Sequence, residues 1–148
     1  MGPATALRSF FGRYFDVNGR SRRFEYFWIL VIQTAGFFVG VALIALNEGS
    51  VSELASDELD LLSQFILGVM ALWTFGTLVP WLTLNVRRFH DMGYSGWLVA
   101  LFMGLWFIPP LGFIGSMVQF FWVLLGSGTA GLNAYGQDPR FSTASAFG

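Results

Sequence analysis

Residues 26–47, with the sequence YFWILVIQTAGFFVGVALIALN, carry no charged side chain. As an α-helix these 22 residues extend about 33 Å, enough to cross a hydrocarbon core of about 30 Å. The aromatic cluster at their start is typical of the boundary between membrane and water. The stretch therefore predicts a membrane-spanning helix over residues 25–46.

Two further charge-free stretches follow, Leu61 to Val86 and the region between Asp91 and Asp138. The first predicts a second hydrophobic helix over 62–86. In the second, residues 97–125 are too long for one comfortable span, and the prolines at 109 and 110 disfavour continuous helix. We therefore expect two short helices, 97–108 and 112–126, that form a hairpin. The alternative is a single broken span.

The composition of the whole chain points to the same class of protein. Of 148 residues, 55% are hydrophobic and only 11% are charged, against about 25% charged in a typical soluble domain. A net charge of −1 gives no basis for nucleic-acid binding. The chain has no cysteine and one histidine, which excludes a disulfide framework and a zinc site built on nitrogen and sulfur ligands. We expect one membrane domain over 1–148, without a cofactor or metal.

The distribution of charge predicts the orientation. Basic residues precede the first span and follow the second, whereas the loop between the spans is acidic and has no basic residue. By the positive-inside rule, the N-terminus and the 87–96 loop face the cytoplasm and the 47–60 loop faces the periplasm. The hairpin returns the C-terminus to the cytoplasm. These features predict a multi-pass membrane protein with its N-terminus in the cytoplasm.

The N-terminal segment predicts a short amphipathic helix over residues 6–16. Its apolar positions fall on one helical face, which we expect to lie flat at the cytoplasmic interface: Leu7, Phe10, Phe11, Tyr14 and Phe15. Residues 127–148 are expected to be a C-terminal loop and tail, frayed from Ser142 onward. The predicted fold is thus an all-α integral membrane protein with one interfacial helix and four hydrophobic helices.

Three polar segments interrupt the apolar chain, at 19–28, 87–97 and 131–139. They contain, in order, GRSRRFEYFW, RRFHDMGYSGW and GLNAYGQDP. These motifs resemble those of the bacterial inner-membrane family named "domain of unknown function 805", with one inserted residue in the first motif. The resemblance covers about residues 10–140 and implies a small multi-span inner-membrane protein. It implies no activity.

The predicted topology brings the three polar segments to the cytoplasmic face, where charges need a partner or water. We expect Arg87 or Arg88 to form an ion pair with Asp91, Glu25 or Asp138. Arg87 and Asp91 are also spaced i, i+4. Ser21 is expected to cap the first span, Gly93 to end the second, and Ser95 to cap the third helix. The candidate site residues are Arg22, Arg23, Glu25, Arg87, Arg88, His90, Asp91, Asn133, Tyr135 and Asp138.

Three functions can be read from this cluster. We favour a structural latch in a non-enzymatic membrane subunit or scaffold, with lipids, a larger membrane complex or a second copy as partners. The alternative is a binding module for an anionic lipid headgroup or a phosphorylated small molecule. An enzyme acting on lipid comes third, because His90, Asp91 and Ser95 supply triad residue types but neighbouring helical positions point in different directions.

Small and polar residues inside the spans have simpler interpretations. Gly36 and Gly40 form a GxxxG motif, for which we expect an intramolecular helix contact. Gln33 and Thr34 are expected to bond a neighbouring helix. The absence of charged residues from the middle of every predicted span argues against ion or proton transport.

Overall fold

The computed structural model describes residues 2–48 and 59–140 of the chain. Residues 49–58 of the predicted periplasmic loop and the tail predicted to fray from Ser142 lie outside the described residues. The described parts hold five α-helices and no strand beyond one bridge between Asn133 and Gly136, so the all-helical prediction is confirmed. The helices are α1 (Pro3–Gly12), α2 (Arg23–Glu48), α3 (Leu61–Asp91), α4 (Trp97–Leu105) and α5 (Leu111–Leu125).

Two of these helices, α2 and α3, are long and apolar enough to cross a membrane. Only 17% and 11% of the residues in their most apolar windows are buried inside the protein. A core helix of a soluble protein hides most of such a stretch, because its apolar side chains drive folding. The low burial of α2 and α3 therefore fits helices surrounded by lipid.

The N-terminal helix differs from its predicted position. It starts at Pro3, because proline suits the first turn of a helix, and it ends at Gly12 instead of residue 16. Ala6 and Phe10 are buried in the core, whereas Phe11 and Phe15 are exposed. The apolar face is thus divided between protein and surroundings, and packing of its inner side against protein stabilises the helix.

The second long helix extends five residues beyond its predicted end. Arg87, Arg88 and Asp91 are helical residues of α3, not part of a loop. The helix stops before Gly93, whose φ of 81° is the left-handed conformation that glycine adopts readily, as expected. The continuation is possible because these charged side chains find partners inside the protein.

The caps predicted for α2 and α4 also differ from those in the structure. Ser21 does not cap α2: its hydroxyl donates to Glu25 Oε2 at 2.6 Å. Ser95 does not occupy the cap position of α4 either: the N-cap is Gly96, and the Ser95 hydroxyl accepts a hydrogen bond of 3.3 Å from the backbone N–H of Trp97 from one position earlier.

The two short helices α4 and α5 pack against each other. Residues 106–108 continue α4 as tight i, i+3 turns, so the regular helix ends at Leu105 rather than at 108. The proline pair at 109 and 110 disfavours α-helix just before it. Gly112 allows α5 to pack closely on the end of α4, because a Cβ at this position would come within 2.8 Å of the Trp106 backbone.

The chain divides into two compact units. The charged unit comprises the described residues up to Ile29 and from Val79 onward, and the apolar unit is Leu30–Leu78. The core of the charged unit is built from buried side chains of all five helices and the turn after α3: Ala6, Phe10, Tyr26, Ile29, Leu84, Phe89, Met92, Val99, Phe102 and Val123.

The apolar unit contains the facing parts of α2 and α3. A Cβ at Gly40 would overlap the Met70 sulfur, which confirms an intramolecular contact for that half of the GxxxG motif, whereas Gly36 meets open space. Gln33 Oε1 accepts a hydrogen bond from Trp73 Nε1 at 2.8 Å, as expected of a bond to the neighbouring helix. Thr34 is exposed.

Candidate functional site

A carboxylate near the end of α3, Asp91, lies at the centre of the buried charges. Its Oδ1 accepts a hydrogen bond from Arg20 Nε at 3.0 Å, and its Oδ2 accepts one from Arg88 Nη1 at 2.6 Å. All three side chains are at least nine-tenths buried. Two guanidinium groups therefore share one carboxylate, and further acceptors have to satisfy their remaining N–H groups.

Backbone carbonyls of the C-terminal loop supply those acceptors for Arg20. Its Nη1 donates to Gly131 O at 2.6 Å, and its Nη2 donates to Thr129 O. Asp91 is fixed to the same loop, because Thr129 N donates to the Asp91 carbonyl at 2.8 Å. Gly128 packs so closely on the Asp91 carboxylate that any side chain there would displace it. The pair of Arg20 and Asp91 thus holds residues 128–131 in place.

Arg88 performs the same task at the end of α5. Its Nε donates to Val123 O at 3.1 Å, and its Nη2 donates to Gly126 O. The last carbonyls of a helix lack intrahelical donors and carry partial negative charge, so a guanidinium is a favourable cap there. Arg88 therefore joins the end of α5 to Asp91.

A second ion pair joins Arg87 to Glu25. Arg87 Nη2 lies 3.9 Å from Glu25 Oε1, and Arg87 Nε donates to Thr83 O at 3.4 Å. Glu25 also accepts hydrogen bonds from Ser9 Oγ at 2.8 Å and Ser21 Oγ at 2.6 Å. The two Nη atoms of Arg87 are buried and have no hydrogen-bond partner among the described residues. Glu25 is thus the point at which α1, α2 and α3 meet.

The C-terminal loop is held to the end of α3 by an asparagine and an aromatic ring. Asn133 Nδ2 donates to His90 O at 2.9 Å and to Thr129 Oγ1 at 2.8 Å. The Tyr135 ring stacks on the His90 ring with 3.8 Å between centroids. Asn133 and Gly136 exchange two backbone hydrogen bonds of 3.1 Å, which close a tight turn.

Asp138 is buried in the loop and pairs with an arginine two residues later. Its Oδ1 and Oδ2 both accept from Arg140 Nε at 2.9 Å, and Arg140 Nη2 lies 2.5 Å from Oδ2. These hydrogen bonds hold the pKa of the Asp138 carboxyl well below its ordinary value, so it stays ionised. Gly131 N adds a weaker hydrogen bond at 3.4 Å.

A cavity of about 330 Å³ opens beside these pairs. Its wall is formed by the start of α2, the end of α3 and the C-terminal loop. The lining residues are Arg22, Arg23, Phe24, Asp91, Gly128, Asp138, Pro139 and Arg140.

Most of the candidate residues predicted from the sequence come together in the charged unit. The expected approaches of Arg88 to Asp91 and of Arg87 to Glu25 are confirmed. The expected i, i+4 pair of Arg87 and Asp91 is not formed, because Arg88 and Arg20 occupy the Asp91 oxygens. Asp138 pairs with Arg140 instead of an α3 arginine. Whether any of these residues binds a ligand stays a prediction.

Three important residues of the cluster were missed by the sequence analysis: Arg20, Thr129 and Arg140. Arg20 lies in the first polar segment, directly after Asn18 and Gly19, a dipeptide typical of turns. The spacing of Arg140 two residues after Asp138 was also visible in the sequence. Thr129 gave no signal, because its role depends on backbone contacts with residues about 40 and 110 positions away.

The cluster is built from arginines, carboxylates and backbone carbonyls. Among the described residues, no three histidine, cysteine, aspartate or glutamate side chains are grouped as metal ligands would be. His90 Nδ1 is buried and has no hydrogen-bond partner among the described residues. The arrangement can neutralise charge, fix loops and present guanidinium groups to an anion.

The described residues thus form an all-helical protein with two long apolar helices and a buried arginine–carboxylate cluster. Comparison with known proteins places the chain in a family. Residues 14–137 match the family described as "Protein of unknown function (DUF805)", and the chain belongs to this family. It is 32% identical over 131 residues to the Inner membrane protein YhaI of Escherichia coli strain K12, covering 88% of this chain and 91% of that protein. The YhaI protein of Escherichia coli O157:H7 matches equally well. No solved structure matches the chain significantly.

Proposed function

We propose that the protein is a multi-pass inner-membrane scaffold without enzymatic activity, with its N-terminus in the cytoplasm. The low burial of α2 and α3 is the observation that carries this proposal, since their apolar surfaces need lipid or another membrane protein against them. The name of the Escherichia coli relative, an inner membrane protein, supports the location.

The charged cluster supports a structural role within that scaffold. In the described part of the chain, each buried carboxylate is engaged by a guanidinium: Asp91 by Arg20 and Arg88, Glu25 by Arg87, and Asp138 by Arg140. These ion pairs engage the carboxylate oxygens that a general base would offer to a substrate proton, which supports a structural role for them. The ion pairs act as a latch that joins the helix ends to the C-terminal loop.

Topology is tested with reporter fusions. Green fluorescent protein after Gly148 should fluoresce, and alkaline phosphatase inserted in the 49–58 loop should be active, because each reporter works on one side of the membrane only. Fusions that report the opposite sides would overturn the orientation. A periplasmic C-terminus would mean that residues 97–125 cross the membrane once.

The scaffold role is tested by purification of the full-length protein from membranes at native expression. Mass spectrometry should find a membrane protein, or a second copy of this chain, at a fixed ratio to it. The control is the same preparation with a tagged unrelated membrane protein of similar size. A chain that is monomeric and carries no protein partner would overturn a scaffold role that acts through proteins.

A further inference from the structure

We propose that the cavity lined by Arg22, Arg23 and Arg140 binds a phosphate group. This inference goes beyond the scaffold role and does not depend on it. The cavity of about 330 Å³ lies at the lower end of the size of small-ligand pockets, so it has room for a phosphate and a few attached atoms.

The donors on the cavity wall suit an oxyanion. Three guanidinium groups line the cavity, and this chemistry suits phosphate oxygens. Arg140 already donates from Nε and Nη2 to Asp138, so its remaining N–H groups face the cavity together with the guanidinium groups of Arg22 and Arg23. The wall also includes the first residues of α2, Arg23 and Phe24, whose backbone N–H groups have no carbonyl partner within the helix. The Ser21 hydroxyl, which could have capped this end, bonds the Glu25 carboxylate instead.

The balance of charge around the cavity is positive although two aspartates line it. Asp91 is neutralised by Arg20 and Arg88, which lie behind the wall, and Asp138 is held by Arg140. The described residues on the cavity wall and directly behind it thus include five arginines and two aspartates: Arg20, Arg22, Arg23, Arg88 and Arg140 against Asp91 and Asp138. The excess of positive charge attracts an anion, and the ion pairs weaken repulsion by the two carboxylates.

The apolar part of the wall is compatible with two sources of the phosphate. Phe24 and Pro139 lie beside the guanidinium groups and offer contact to carbon atoms attached to a phosphate. The headgroup of an anionic phospholipid and a free phosphate share the same recognised group. The experiment therefore presents each of them separately.

The test uses the full-length protein in uncharged detergent. Inorganic phosphate is titrated by calorimetry, and retention of phosphatidylglycerol from mixed micelles is measured by native mass spectrometry, with diacylglycerol as the lipid without phosphate. The test variant is Arg23→Gln, an exposed position with little risk to folding. The matched control is Arg8→Gln, the same change at an exposed residue outside the cavity. Arg22→Gln serves as a second test variant if Arg23→Gln does not accumulate.

We expect Arg23→Gln to weaken phosphate-dependent binding about tenfold, as loss of a charge-assisted hydrogen bond does, while Arg8→Gln binds like the unchanged protein. Binding of both probes assigns recognition to the phosphate group itself. Binding of phosphatidylglycerol alone assigns it to a lipid headgroup, and binding of inorganic phosphate alone assigns it to a soluble ligand. Absence of binding, equal retention of diacylglycerol, or equal effects of the two variants would overturn the proposal.

Discussion

The charged unit and the apolar unit solve the same problem with different chemistry. Both place polar groups where water is scarce. The charged unit buries guanidinium and carboxylate groups against each other, whereas the apolar unit relies on neutral hydrogen bonds such as that from Trp73 Nε1 to Gln33 Oε1. Breaking a buried ion pair costs about 3–5 kcal/mol, whereas hydrogen bonds between membrane helices average about 0.6 kcal/mol. Mutations should therefore be most damaging in the charged unit.

The largest effect is expected at the centre of the cluster. Asp91→Ala leaves Arg20 and Arg88 buried without their shared carboxylate, so the free energy of unfolding should fall by about 3–5 kcal/mol. Denaturant unfolding in detergent measures it. Asp16→Ala is the control, because its partly exposed pair with Arg13 is worth about 0–1 kcal/mol. Equal losses of stability in the two variants would contradict the latch, because the buried pairs would then contribute no more than the exposed pair.

The next effect concerns the N-terminal helix. Phe10 is 1% exposed and belongs to the core of the charged unit, so Phe10→Ala should destabilise the protein by about 3–5 kcal/mol. Phe15 is 78% exposed and contacts the Tyr14 ring, so Phe15→Ala should cost at most about 0.5–1.5 kcal/mol. Thermal unfolding in detergent compares the two variants. A small loss of stability for Phe10→Ala would mean that α1 is an interfacial helix that the core of the charged unit does not need.

A smaller effect is expected in the apolar unit, at the glycine pair. Gly40→Val pushes a side chain into Met70, and overpacking of this kind costs about 1–3 kcal/mol. Gly36→Val is the matched control, because the same side chain there meets open space. The midpoint of unfolding in detergent should fall only for Gly40→Val. If only Gly36→Val is damaging, then that surface is occupied by something outside this chain.

The smallest effect is a dependence on pH. The pKa of Asp138 is held below its ordinary value of 3.8, so its contribution to stability is complete above that value and is lost as the pH falls below it. The effect is small because over half of the Arg140 side chain is exposed. Asp138→Asn should flatten the fall in unfolding temperature below about pH 4. An unchanged pH profile in Asp138→Asn would mean that another carboxylate causes the fall.

The sequence predicted the helices better than their contacts. Runs without charge identified α2 and α3, and the proline pair at 109 and 110 separated α4 from α5, because these signals are local. The end of α3 was placed at residue 86 because the charge-free run stops there, although the i, i+4 spacing of Arg87 and Asp91 and the glycine at 93 indicated that the helix continues. The partner of Arg87 is Glu25, 62 positions earlier in the chain, and a pair at that distance has no periodicity from which to predict it.

The candidate site was predicted in the same uneven way. Arg88 and Asp91 were recognised because they are neighbours on one helix. The contribution of Arg20 was missed because Asp91 lies 71 positions away in the chain and its other partners are backbone carbonyls, which every residue has. Only the folded loop decides which carbonyls face a guanidinium.

The contacts of Arg20 have a consequence for the order of events during synthesis. Its carbonyl acceptors at Thr129 and Gly131 are 109 and 111 residues further along the chain. At about 5–20 residues per second, the ribosome needs about 5–20 s after Arg20 to make them. For most of that interval the Arg20 guanidinium depends on water or lipid phosphate, because its carboxylate partner Asp91, at the end of α3, is itself made 71 residues after Arg20. The C-terminal loop can therefore close the charged unit only after residues 129–131 have been made, when α2 and α3 are already complete.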